Sequence, residues 1–159
     1  MTASAIQREI RQRRPFSSSS QEALVGLLRT TDLLRRDLTR VVEARDLTLQ
    51  QYNVMRILRG AGEQGLPTLE IAERMIEQAP GVTRLLSRLV AKRLVRRRRC
   101  RQDRRQVLCW ITATGLTLLR EVDGPLEQAA ETALGVLDSR ELATLIRLLD
   151  RIRAGAPEG

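Results

Sequence analysis

Eleven basic side chains fall within the 22 positions from Arg84 to Arg105, and Asp103 is the one acid among them. That window carries +10, whereas the other 137 residues sum to −1. Cations this local on an otherwise balanced chain point to a polyanionic partner, with nucleic acid the commonest and an anionic membrane surface the rival. The plain alternative is a solvated arginine face. Two series of candidate contacts emerge. Gln78, Pro80, Thr83, Arg84, Ser87, Arg88 and Lys92 form the first, and Arg98, Arg99, Arg101, Asp103, Arg104 and Arg105 the second. Their chemistry is neutralisation of phosphates and hydrogen bonding to base edges.

The apolar spacing around these residues says what positions them. Val82, Leu85, Leu86, Leu89 and Val90 share one face of a helix that Pro80 is suited to start, so Thr83, Arg84, Ser87, Arg88 and Lys92 face outward. Ahead of it, Thr68 is placed to cap a short helix with Ile71, Ala72 and Met75 inward, and residues 76–78 make a tight turn. Two short helices joined by such a turn, the second with a basic outer face, form a helix-turn-helix pattern. The second series sits on a hairpin entered at Leu94 and Val95, whose return strand alternates Val107, Cys109 and Ile111 against Leu108 and Trp110.

The flanks read as helices. Ser19 with Glu22 is a capping-box signature before an apolar series at Leu24, Leu27, Thr31, Leu34, Leu38 and Val41; Thr48 with Gln51 is a second, before a helix that Gly60 is suited to stop. Thr112 is placed to cap a long helix that Gly124-Pro125 should kink or interrupt, and a last helix runs from Ser139 to about Arg153. Aromatics make up 2% of the chain against 42% hydrophobic residues, which favours packed helices over a sheet sandwich. The expected fold is mainly α with a small β-hairpin wing. A winged helix-turn-helix unit at 48–112 is flanked by long helices at 20–45 and 113–153, with a flexible basic arm at 1–19 and a tail at 154–159. Stripes as long as those at the two ends exceed what so small a unit can cover, so a homodimer is expected, with these as dimerisation helices.

Other functions fit poorly. There is no histidine, no glycine-rich phosphate loop and no carboxylate pair in a catalytic spacing, so neither an enzyme, a metal site nor a cofactor is expected. The cations alternate without a large apolar insertion face, which argues against membrane docking. With no transmembrane run and no secretory leader, a cytoplasmic, nucleoid-associated location is expected. Cys100 and Cys109 do not make a disulfide framework.

Four segments, in order, resemble the MarR family of winged helix-turn-helix transcriptional regulators. Residues 68–74 (TLEIAER) resemble its first helix-turn-helix element, 81–89 (GVTRLLSRL) its recognition helix, and 103–105 (DRR) its Asp-x-Arg wing signature. Residues 111–115 (ITATG) resemble the entry to its following helix. The similarity covers about 22–153, so 20–153 reads as one MarR-like domain. Arg93 departs from the pattern, standing where the family usually has a glycine that closes the recognition helix; a left-handed arginine there costs about 1 kcal/mol. The resemblance implies a dimeric repressor on a palindromic operator in double-stranded DNA, with Arg105 in the minor groove and Asp103 orienting the wing through an ion pair. It also implies release by a small aromatic or anionic effector, for which Arg35, Arg45, Tyr52 and Met55 are candidate contacts. The competing reading is a winged-helix architectural or RNA-binding module without ligand control.

Overall fold

The computed structural model describes residues 4–77, 81–100, 103 and 105–155. Gln78, Pro80, Arg101 and Arg104 therefore lie outside the described residues, as do the helix start expected at Pro80 and most of the tail.

The N-terminal arm was expected to have no fixed structure, but it carries a short helix, α1 (Ala5–Glu9), capped by Ser4. Two contacts fold it back on the chain: Glu9 pairs with Arg29 at 2.8 Å, and the half-turn is closed by the buried Gln7, whose carboxamide donates to the Gln12 carbonyl. The first long helix, α2 (Ser19–Glu43), is capped by Ser18 rather than Ser19. In a run of four serines the cap is decided by a partner, and the Gln21 side chain accepts from Ser17 N–H at 2.9 Å, drawing the turn one residue forward.

Helix α3 (Leu49–Ala61) opens with the expected reciprocal box between Thr48 and Gln51. It passes Gly60 and ends at Gly62. A two-residue strand, β1 (Leu66–Pro67), comes next and leads directly into α4 (Thr68–Glu73). Thr68 is helical there, not the cap. The basic helix, α5 (Val82–Ala91), buries Val82, Leu86 and Leu89, the period expected.

Arg93 does adopt the left-handed conformation, with φ 59°. Its N–H donates to Val90 O and that of Leu94 to Leu89 O, the paired bonds of a Schellman motif, so the helix closes without glycine. The wing follows as β2 (Val95–Arg99) and β3 (Val107–Ile111), antiparallel, with β1 on the other side of β3 in a three-stranded sheet ordered β1-β3-β2.

Thr112 caps α6 (Ala113–Leu134) by accepting from Gly115 N–H, while its hydroxyl donates to Arg93 O at 2.8 Å. Gly115 has to be glycine for a steric reason: a Cβ would stand 2.4 Å from the Leu94 carbonyl. Gly124-Pro125 does not interrupt α6, which runs on through Pro125, with Leu119 and Val122 before it and Leu126 after it all in the core. The last helix, α7 (Ser139–Ala154), has a capping box between Asp138 and Glu141.

The core gathers Val42, Val54, Met55, Leu58, Ile71, Leu86, Leu89 and Leu119, so the C-terminal end of α2, the recognition element and α6 share one interior. The part of α2 ahead of Leu38 does not join it, leaving Leu24, Leu27, Leu28 and Leu33 exposed. Helix α7 buries no residue at all.

Candidate nucleic-acid interface

The outward face of α5 carries Thr83, Arg84 and Arg88, all exposed. Ser87, on the same face, is half-buried because its hydroxyl is engaged twice: it donates to Thr83 O at 3.0 Å and accepts from Arg97 Nη1 at 3.2 Å. Lys92, just past the helix end, is held by Asp46. Its ammonium lies 2.7 Å from Asp46 Oδ2 and also donates to the Asp46 carbonyl, so part of the cationic charge expected at DNA is neutralised within the protein.

Ile76 and Glu77, which follow α4, are held from two sides. Asn53, only 8% exposed, accepts from Ile76 N–H at 2.9 Å, and Glu77 pairs with Arg35 of α2. The sequence did offer a signal for Asn53, a carboxamide between Tyr52 and Val54 in an otherwise apolar stretch. Buried carboxamides persist where a backbone group needs them.

On the wing, Arg98, Arg99 and Arg105 are exposed. Asp103 orders the tip through the main chain: its carboxylate accepts from Arg105 N–H at 3.0 Å and its carbonyl from Gln106 N–H at 3.0 Å. These are main-chain bonds of a turn; Arg101 and Arg104, the cations beside Asp103, lie outside the described residues. Strand alternation divides the arginine run. Arg97 lies opposite Cys109 and Arg96 opposite Trp110. The Arg96 guanidinium stacks 4.4 Å from the Trp110 ring centroid, and Trp110 Nε1 donates to Glu63 O at 2.9 Å. At Gly65, φ is +66° and a Cβ would sit 2.5 Å from the same ring. Arg96, Arg97 and Trp110 were absent from the sequence-derived set.

The register sets Arg97, not Cys100, against Cys109, and both thiols are free. Burial pushes the Cys109 thiol up from its ordinary value, outweighing Thr68 and Arg97, which act in the opposite sense. The buried thiol is the less reactive for it.

The four candidate effector contacts are engaged separately. Met55 is fully buried in the core, Arg35 is paired with Glu77, and Arg45 with Glu121 at 3.3 Å. The Tyr52 hydroxyl donates to Asp123 Oδ1 at 2.9 Å, and Arg59 pairs with the same carboxylate. These contacts tie α2 and α6 to the unit that carries α5 and the wing. A groove of about 520 Å³ lies elsewhere, between Glu43, Asp46, Thr48 and Gln51 on one side and Arg88 and Lys92 on the other.

Burial first, then the bond to Asp123, raises the Tyr52 phenol to about 12. For Asp123 burial pushes upward, but the bonds from Arg59 and Tyr52 together prevail and hold it below the usual carboxylate value. The Tyr52 contribution to stability is therefore present below pH 10 and lost as pH rises through about 12. The Asp123 contribution is present above the unfolded value of 3.8 and lost as pH falls through the lower folded one. Because the Asp123 side chain is 35% exposed, solvent screening keeps that contribution small. Tyr52 is the one tyrosine in the chain, so absorbance titration near 295 nm reads it alone. We expect a midpoint near 12 and a downward shift in Asp123→Asn; an unshifted midpoint in the variant would break the assignment of the bond.

Comparison with known proteins places these features in context. The model of the MarR family matches residues 47–107. The crystal structure of a MarR transcription factor from Planctomyces limnophilus is 40% identical, with TM-score 0.67 over 85% of this chain and 98% of that one. The HTH-type transcriptional regulator TtmR of Methylorubrum extorquens (strain PA1) is 36% identical over 121 residues, 71% of this chain; the match spans 59% of TtmR's length. Bordetella bronchiseptica BpsR, whose DNA binding is regulated by 6-hydroxynicotinic acid, is 25% identical, with TM-score 0.73 over 83% of this chain and 98% of that one.

Proposed function

The chain belongs to the MarR family of transcription factors, and from that premise we propose that it is a dimeric repressor of a palindromic operator, released by a small aromatic or anionic effector. One observation carries the reading: the exposed Thr83, Arg84 and Arg88 of α5 and the exposed Arg98, Arg99 and Arg105 of the wing belong to a single packed unit. The helix supplies groups that read major-groove edges, with Arg84 able to pair bidentately with guanine, and the wing supplies cations for phosphate and minor groove.

Dimerisation follows from the faces left uncovered. Leu24 and Leu28 of α2 and Ile146, Leu148 and Ile152 of α7 are all exposed, more apolar surface than a monomer keeps in water without use. A twofold axis through these helices sets two copies of α5 about 34 Å apart, one DNA turn, and so requires inverted half-sites. Repression follows where such an operator overlaps a promoter. Effector release is supported by BpsR, with its 6-hydroxynicotinic acid control, and by the ion pairs joining α2 and α6 to the reading unit, which an anionic compound can break by taking the arginine.

The test is fluorescence-anisotropy binding to the upstream region of the protein's own operon, to a scrambled duplex and to duplex RNA, across a salt series. Preference of several hundredfold for the native duplex with two protomers bound is the expected result. Equal binding to all three with a steep salt dependence favours the architectural or RNA-binding module instead.

A further inference from the structure

We propose that Arg97 is a positioning residue for DNA recognition: by donating to Ser87 it fixes the angle between wing and recognition helix, and it is not itself a phosphate contact. This rests on the DNA-binding function proposed above. Arg97, itself exposed, is paired in register with buried Cys109 and reaches across to Ser87 at 3.2 Å. The Ser87 hydroxyl has one proton, and that proton is committed to Thr83 O at 3.0 Å. Its lone pairs are what remain, and they suit a guanidinium rather than a base or phosphate acceptor. A residue on the DNA-facing side of α5 is thus turned inward to receive the wing.

The outer face of the same strand is held independently, Arg96 on Trp110 and Trp110 on the Glu63 carbonyl. Neighbouring arginines thus engage the hairpin base from both sides; all four from Arg96 to Arg99 are exposed, but Arg98 and Arg99 have no such partner among the described residues, so it is the bond to Ser87 and not burial that sets Arg97 apart. The lever is long enough to matter. The paired arm from Arg97 to Cys100 extends about 10 Å, so a tilt of roughly 20° at its base displaces its end by about 3.5 Å, comparable to the axial rise of one nucleotide. Cations on the wing then meet the wrong phosphates while α5 still sits on its bases.

The experiment compares the wild-type chain with Ser87→Ala, Arg97→Lys, Arg97→Gln and the Ser87→Ala/Arg97→Lys double variant. Affinity for native and scrambled duplexes is read across salt, and amide hydrogen exchange over Val95–Arg99 is read in the free protein. Ser87→Ala and Arg97→Lys should each weaken operator binding about tenfold, with the double variant no weaker than either and the salt slope unchanged. Both should also speed exchange in the strand. A salt slope reduced by about one in Arg97→Gln, with Ser87→Ala at wild-type affinity, overturns the proposal and makes Arg97 a phosphate contact. So do losses that add in the double variant. The exchange measurement needs no operator: unchanged exchange in both single variants overturns the latch even if the wild type binds the duplexes alike, a result that by itself sinks the repressor reading and not the latch.

Discussion

A chain carrying Leu148→Glu and Ile152→Glu is expected to remain folded, to sediment as a monomer, and to lose operator affinity by about 10²–10⁴-fold. The two residues lie one turn apart on α7, are 44% and 60% exposed, and belong to a helix with no buried residue. Replacing them removes nothing from the protomer's own core, so circular dichroism and thermal unfolding of the reading unit should change little. Across a twofold axis, however, each glutamate enters an apolar seam in both copies, and burial of an unpaired carboxylate is costly. The affinity loss follows because a covalently separate second protomer no longer delivers its helix at high effective concentration. Sedimentation velocity and anisotropy on the same samples decide the matter. A dimer that persists moves the interface away from α7, and a monomer with undiminished affinity removes the need for inverted half-sites.

The elements that sequence made legible are those decided locally. Val82, Leu86 and Leu89 recur at a helix period, Thr48 and Gln51 form a reciprocal cap, and Thr112 caps α6, all within short stretches of chain. What escaped was decided across the fold. Strand β1 has two residues, too few for any period, and exists because Leu66 and Pro67 meet Cys109 and Leu108. Lys92 shares a face with Arg88, but its pairing with Asp46, 46 positions away, could not be read from that face. Alternation in the arginine run separates 96 and 98 from 97 and 99, yet it cannot say which side meets α5. That depends on Ser87 and Trp110 finding their partners. The cap of α2 failed for the opposite reason: four serines offered equivalent local solutions, and Gln21 selected among them.

For the site itself, the decisive contrast is between Arg84→Ala and Arg98→Ala. Arg84 stands in the first turn of α5, the part of a recognition helix that reaches base edges, and its fork geometry matches guanine O6 and N7. Its loss should cost about 1–3 kcal/mol on the operator and relax the preference at one base-pair position, leaving binding to scrambled DNA nearly unchanged. Arg98 is exposed on the wing arm, paired in register with Leu108, and in the proposed function it is a contact to the sugar-phosphate backbone. Its loss should weaken native and scrambled duplexes alike and lower the salt slope by about one, the signature of a released counterion. Binding to a panel of duplexes with single base-pair changes, repeated at three salt concentrations, separates the two patterns. Position-specific relaxation in Arg84→Ala alone assigns base reading to α5 and bulk affinity to the wing. Equal, sequence-blind losses in both variants reduce the whole cationic surface to a coat for polyanions and leave the sequence preference of this chain without a reader.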